Sequence, residues 1–305
     1  MHVELKSLVV MADLPVGLNY QDHVSAFTDI FLDEIPFNES QHVTISKFQT
    51  ISSFIKYLLF GKGPLTTGPV QAVSFFDVDG TGDFCVSEEM PKVQIHSLMG
   101  PLQDDPNDDI NQQLNKMQNL KPNTVKAYGE HNTKRVGFLA TACVLHPQSR
   151  GAVSLASADP LQRPIINPNF LSETRDRVVL KAGLRHIRDL VKTRAISSLG
   201  GYTLDSKYPT RERIAPDADP ESEEYLEELM EHFGQCIWHP AGSCKMGAEG
   251  DTSAVVDPQL RVQGGIQGLR VVDNSIMPHL TSGNTNAPAI MIGEKGSDLI
   301  LQSYK

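Results

Sequence analysis

The C-terminal stretch 236–305 constrains this chain more than any other part, because it strings three dissimilar chemical units in one order. Trp238-His239-Pro240-Ala241-Gly242-Ser243-Cys244-Lys245-Met246-Gly247 places an imidazole beside a proline and a run of small residues, where backbone can approach a ligand closely. Leu269-Arg270-Val271-Val272-Asp273 reads as a short buried strand that delivers a carboxylate at its carboxyl end. Ser282-Gly283-Asn284-Thr285-Asn286 is a loop dense in hydrogen-bonding groups, and Pro288 stands at a first-turn position for a helix predicted over 289–301.

Upstream, apolar spacing predicts two further helices. Over 175–192, Val178, Val179, Leu184, Ile187 and Val191 recur near helical intervals after Ser172 and Thr174 as caps. Over 221–233, Leu226, Leu229, Met230 and Phe233 share a face between Asp219-Pro220 and Gly234. The apolar segment 48–60 ends at Gly61 and reads as a helical passage. Strand-like runs occupy 70–76, 137–145 and 152–156, and the polar stretch 103–123 reads as a loop or a mobile amphipathic helix. Neither an internal repeat nor a low-complexity tract interrupts this order.

Composition excludes several classes. A chain of 305 residues with 40% apolar content can bury a large core and hold two lobes. A net charge of −10 without basic clusters argues against a nucleic-acid or anionic-membrane surface. No apolar run reaches membrane-spanning length, and Met1-His2-Val3-Glu4-Leu5-Lys6 is not a signal peptide. A soluble protein is therefore expected, its compartment open and a secreted parent enzyme compatible with it. Cys85, Cys143, Cys236 and Cys244 are too few and too scattered for a disulfide scaffold. Asn38-Glu39-Ser40 is a glycosylation sequon of a kind often met by chance.

The three C-terminal units resemble, in order, spacing and residue type, the C-terminal signature of the glucose–methanol–choline (GMC) oxidoreductases, with wording nearest the insect glucose-dehydrogenase-like (FAD, quinone) branch. The resemblance continues upstream through Asp13-Leu14-Pro15-Val16-Gly17-Leu18-Asn19-Tyr20-Gln21-Asp22-His23, Gly61-Lys62-Gly63-Pro64-Leu65-Thr66, Pro147-Gln148-Ser149-Arg150-Gly151, Asp159-Pro160 and Pro164-Ile165-Ile166-Asn167-Pro168-Asn169. Members of that family open with G-x-G-x-x-G, whose amides and helix N-terminus hold the FAD pyrophosphate. The 23 glycines here contain no such spacing; Gly80-Thr81-Gly82 is the nearest approach. The chain is therefore expected to correspond to the C-terminal half of a GMC enzyme. Its fold would be α/β (α+β): part of an FAD-binding domain plus a substrate domain with a mixed or antiparallel sheet and helices. The implied division is 1–60 as a remnant of the FAD domain with a helical connection, 61–235 as the substrate domain, and 236–305 as the return to the FAD domain.

The resemblance implies an FAD-dependent oxidation of a CH–OH group in an alcohol or sugar, with oxygen or a quinone-like compound as electron acceptor. It makes His239 the base toward the substrate hydroxyl, a role suited to an imidazole. Asn284 falls at the family's second active-site position, where an amide can hydrogen-bond the reacting oxygen but cannot take its proton. Asn286, Ala287 and Pro288, at the helix start, are implied to adjoin the flavin, where a partial positive charge favours the reduced ring. Asp273 is implied to neighbour the ribityl and phosphate region, or else caps the next turn. Asn19 and Asp22-His23 are implied to line the cofactor cleft. A non-catalytic fragment or pseudoenzyme that binds a ligand or partner stays open beside this reading.

Two strings imitate metal sites. Asp77, Asp79, Gly80 and Glu88 match an EF-hand loop, but a strand-like run precedes them and Pro91 interrupts the exiting helix; a Gly/Asp turn is the plainer reading. His232, Cys236, His239 and Cys244 have spacings that belong to no common zinc module. No metal is expected.

Overall fold

The structure, a computed structural model, describes residues 10–34, 50–78, 90–99, 136–203 and 222–304. Its strands are β1 (Val24–Leu32), β2 (Val70–Phe76), β3 (Val93–Met99), β4 (Gly137–Val144), β5 (Ala152–Ser154), β6 (Ile165–Asn167), β7 (Gly201–Thr203) and β8 (Gln235–Cys236). Six form one sheet in the order β2-β3-β4-β1-β7, with β8 on the other end of β1, and every pairing is antiparallel. β5 and β6 pair separately as a short ribbon. The expectation of an α/β protein with an antiparallel sheet and helices is met.

β1 explains why the sheet is held so firmly. Its sequence, VSAFTDIFL, mixes β-branched and aromatic residues with no helical spacing, and almost every position is buried. A strand covered on both faces lacks the apolar/polar alternation that marks a half-exposed one. β3 does alternate: Val93 and Ile95 sit in the core, while Gln94 and His96 point to the opposite face.

The described residues hold four helices of ten residues or more, α1 (Ile51–Phe60), α2 (Thr174–Lys192), α3 (Glu223–Phe233) and α4 (Asn286–Gln302), and a single helical turn, Arg194–Ser197, after α2. α1 is capped by Thr50, whose hydroxyl accepts from the Ser53 amide, and ends at Gly61 in the left-handed region (φ 58°). α2 crosses β3, β4 and β1, and Leu180, Leu184 and Ile187 enter the core with Ile30, Leu226 and Phe233. Gly183 permits the close crossing, since a Cβ there would lie 2.8 Å from that of Ala142. Arg177, Lys181 and Arg185 of α2 pair with Glu223 and Glu227 of α3. A second, smaller core gathers Val255, Val256, Ile276, Met277, Leu280 and Ile292 under α4.

Four readings change. Neither Ser172 nor Thr174 caps α2, whose N-cap is Glu173 with no side-chain cap hydrogen bond. Residues 269–273 are not a buried strand: their only pairing is a single bridge, Arg261 with Arg270, and Leu269 is 53% exposed. The apolar run is too short to hold a ladder, and Gly268 turns the chain immediately before it with φ 75°. The C-terminal helix begins at Asn286, so Pro288 is its third residue. The ribbon strand β5 stops at Ser154, because the register would next set Leu155 against Pro164, which has no backbone N–H to give. The 103–123 stretch, the sequon, Cys85 and most of the EF-hand-like string lie outside the described residues.

Candidate active site

The site is assembled where the segment leading into β1 meets the segment following β8. Gln21 and Ala241 exchange backbone hydrogen bonds of 2.9 Å each way, which fixes the two strands side by side. Asp22, 3% exposed, then acts as a clamp: its Oδ1 accepts the backbone N–H of His239 at 2.8 Å and its Oδ2 the Tyr20 hydroxyl at 3.4 Å. The Cys236 thiol and the His23 backbone N–H also donate to it. Burial raises the Asp22 pKa, and these donors oppose that rise. Burial and the Asp22 charge push the Tyr20 phenol up to about 12, so it stays a donor.

Just before the histidine, Trp238 adopts a left-handed backbone (φ 58°) and is 59% exposed. A bulky residue pays for that conformation, and such strain recurs where a neighbouring side chain must be aimed. Here the turn sends Trp238 outward and His239 inward, the latter 8% exposed. Gly242 (φ 84°) follows, packed so tightly on the Asn19 carbonyl that no Cβ fits. The small-residue run thus does admit close backbone approach, and the segment that approaches is residue 19's own.

The backbone carbonyls against His23, those of Leu145 and Thr281, set the protonation pattern of the histidines. Leu145 O lies 3.0 Å from His23 Nε2 and can only accept, so the neutral His23 carries its proton on Nε2. His23 Nδ1 is therefore bare, and it lies 2.8 Å from His239 Nδ1, which must donate. His239 then has a bare Nε2, and this atom faces Asn284 Nδ2 at 3.3 Å. Burial, followed by the neighbouring His239, pushes His23 down to about 4 and keeps it neutral. Burial and the charge of His96 lower His239 as well. The arrangement is an uncharged imidazole with its lone pair directed at an amide donor, which is what proton abstraction from a hydroxyl requires.

The structure brings Asn284 to His239 as described. Asn286, Ala287 and Pro288 form the first turn of α4, whose N-cap Thr285 makes no side-chain cap. Asp273 accepts the Ser275 amide at 2.8 Å, capping a short 3₁₀ turn (Asn274–Ile276), and also lines a cavity of about 340 Å³ with Tyr20, Pro240, Ala241, Ser243 and Ala289. Asn19 is a tie between segments: Nδ2 donates to Gly242 O (3.3 Å) and Pro278 O (3.2 Å), and Oδ1 accepts from Arg150 (3.0 Å). Two residues the sequence did not single out complete the wall, Gln94 and His96 of β3. Gln94 Nε2 donates to Asn284 Oδ1 at 3.3 Å, and a hydrogen bond with Asn284 partly offsets the lowering of His96 by burial. Their only sequence signal is the alternation in VQIHSLM, which any half-buried strand shows. Among the described residues no three potential ligands gather to hold a metal; in the zinc-like string His232 turns to Glu228, Cys236 to Asp22 and His239 to His23.

Comparison with known proteins adds to this geometry. Residues 147–293 match a family model described as GMC oxidoreductase. An oxygen-dependent choline dehydrogenase of Brucella ovis is 29% identical over 301 residues, 98% of this chain and 47% of that protein. Oxygen-dependent choline dehydrogenase 1 of Chromohalobacter salexigens is 31% identical over 98% of this chain and 46% of its own length. The chain thus spans just under half the length of these curated relatives, and they are choline rather than glucose dehydrogenases. A formate oxidase of Aspergillus oryzae shares the fold at 21% identity, with a TM-score of 0.68 over 94% of this chain and 47% of that one. An FAD-dependent oxidoreductase of Chaetomium thermophilum does so at 20% identity and a TM-score of 0.63, over 97% of this chain and 50% of that one.

Proposed function

We propose that the chain, whose residues 147–293 match the GMC oxidoreductase family model, forms the substrate side of an FAD-dependent oxidoreductase acting on the CH–OH group of an alcohol. The observation that carries this reading is the bare Nε2 of His239 held against Asn284 Nδ2 at 3.3 Å. A substrate hydroxyl placed there donates its proton to His239 Nε2 and accepts from Asn284 Nδ2–H. Asn284 cannot act as a base at neutral pH, so the proton goes to His239. His23 holds the imidazole in the tautomer that accepts it, and the Asp22 clamp holds the backbone beneath.

The residues present fit a flavin ring. The uncapped first turn of α4 offers backbone N–H groups and a partial positive charge beside the 340 Å³ cavity, suited to an electron-rich ring edge. Asn286, Ala287 and Pro288 would adjoin the ring, with Asp273 and Asn19 at the margin of the cleft. When bound, FAD supplies the acceptor for the hydride that leaves the carbinol carbon. The sequence holds no G-x-G-x-x-G, so no phosphate contact is assigned to this chain. The division into 1–60, 61–235 and 236–305 belongs to the same proposal, with β1 tying the first part into the sheet of the second.

The donor proposed is a small alcohol. Choline is the first compound to try, because the relatives are choline dehydrogenases, and oxygen the first acceptor, because they are oxygen-dependent. A sugar donor and a quinone-like acceptor follow from the glucose-dehydrogenase-like wording of the C-terminal motifs. The test is anaerobic rapid mixing of a flavin-loaded preparation with substrate, following flavin bleaching. His239→Ala should slow reduction by about 10²–10⁴-fold, the usual weight of a general base. Bleaching as fast as in the parent would remove His239 as base, and a chain that takes up no FAD at all would favour the non-catalytic, ligand-binding alternative.

A further inference from the structure

We propose that Gln94 is a positioning residue of this site: its side-chain amide fixes the orientation of Asn284, and with it the N–H that Asn284 presents to His239. The inference rests on the reading of His239 as the base. An asparagine amide has nearly the same shape at its nitrogen and oxygen ends, so packing alone scarcely distinguishes its two orientations. Asn284 is exposed, which leaves the choice to its hydrogen bonds. If it turned over, Oδ1 would meet the His239 Nε2 lone pair, two acceptors in contact, and the base would lose the donor beside it.

Gln94 is placed to prevent this. It is 1% exposed and stands between Val93 and Ile95, whose side chains are locked in the core, on a strand paired on both sides by β2 and β4. The backbone under its amide is therefore fixed. Its Nε2 lies 3.3 Å from Asn284 Oδ1. Its Oε1 is buried with no hydrogen-bond partner among the described residues. Leaving a buried acceptor unpaired costs about 1–3 kcal/mol. Turning Gln94 over would not relieve the site, because it would press Oε1 against Asn284 Oδ1. The molecule keeps the orphaned oxygen and commits the NH₂ to Asn284. His96, two residues along on the same face, is hydrogen-bonded to Asn284 as well.

The readout is the titration of His239, followed by imidazole ¹⁵N NMR on the full chain. The groups facing His239 are His23 at Nδ1, Asn284 at Nε2, His96 across the site, and the Asp22 carboxylate on its backbone N–H with Tyr20 and Cys236 behind it. A donor on bare Nε2 stabilises neutral imidazole, so its loss raises the His239 pKa. Asn284→Ala should raise it by about one pH unit, the worth of one hydrogen bond. Gln94→Met, which keeps the volume without the donor, should raise it in the same direction by about half as much or more. In the Asn284→Ala background Gln94→Met should add nothing. A merely structural Gln94 would shift both backgrounds alike, and that result, or no shift in a variant that unfolds like the parent, overturns the proposal. Gln94→Leu takes the same test if Gln94→Met does not fold. A parent spectrum with the His239 proton on Nε2 would instead overturn the assignment of His239 as base.

Discussion

At the scale of single residues, His23 links the chemistry of the site to the stability of the fold. Its folded pKa, about 4, lies well below the ordinary 6.5 because burial and His239 oppose its charge. Between those two values the unfolded chain binds a proton that the folded chain does not. Stability is thus fully present above pH 6.5 and is lost as the pH falls toward 4, a difference of roughly 3 kcal/mol for a shift of this size. His96, His146, His239 and His279 are lowered as well and add in the same direction. Urea unfolding at pH 7 and pH 4.5 should show the loss, and His23→Gln should flatten it; an unchanged pH profile in that variant would mean His23 takes up its proton at the same pH folded as unfolded. The site was legible in unequal measure. His239 and Asn284 stand in motifs dense enough to be singled out, whereas Gln94 and His96 do not. Their meaning comes from register: β3 pairs His96 with Thr141 and Gln94 with Cys143, and only that pairing aims both at a loop near the other end of the chain. No local pattern encodes a contact 190 residues away in sequence.

Among the elements, the helices and the strands β2 and β4 are legible in the sequence, and β1 and β3 are not. The predicted 175–192 and 221–233 helices are found as α2 and α3, because one apolar face repeats at 3.6 residues whatever lies opposite it. β1 passed unremarked because a strand covered on both faces has no alternation, and Asp29 and Thr28 interrupt its apolar run. How α2 meets the sheet depends on Gly183. In an exposed helix interior, glycine to alanine stabilises by about 0.5–1 kcal/mol. Here the new methyl would stand 2.8 Å from Ala142 Cβ and 3.1 Å from Val93 Cγ1. Ala142 sits on the sheet backbone and cannot rotate away, so overpacking, typically 1–3 kcal/mol, should outweigh the helical gain. Gly183→Ala is expected to lower the urea midpoint without changing its slope. A raised midpoint would show that α2 can slide on the sheet.

For the whole molecule, the distribution of apolar surface matters more than its amount. The main core is closed: Phe27, Phe31, Leu184 and Leu226 are all under 2% exposed. The surface of α4 and β6 is not. α4 presents Ile290 (60% exposed), Met291 (58%) and Leu301 (63%), and β6 adds Ile165 and Ile166. Scattered exposed apolar residues are ordinary on any protein, but a helix that carries them on one face while its other face packs on Val272 and Ile276 is amphipathic in the wrong sense for water. Relatives about twice as long carry further chain that this sequence does not match. Alone, the chain should cover such a surface with the nearest apolar partner, another copy of itself. Sedimentation velocity across a hundredfold concentration range should show mass action toward dimers or larger species. Replacing Ile290 and Met291 together by Lys and Gln should shift that equilibrium back toward monomer, since neither side chain contributes to the closed core. A monomer at every concentration, with cooperative unfolding, would mean that the exposed face of α4 is tolerated in water.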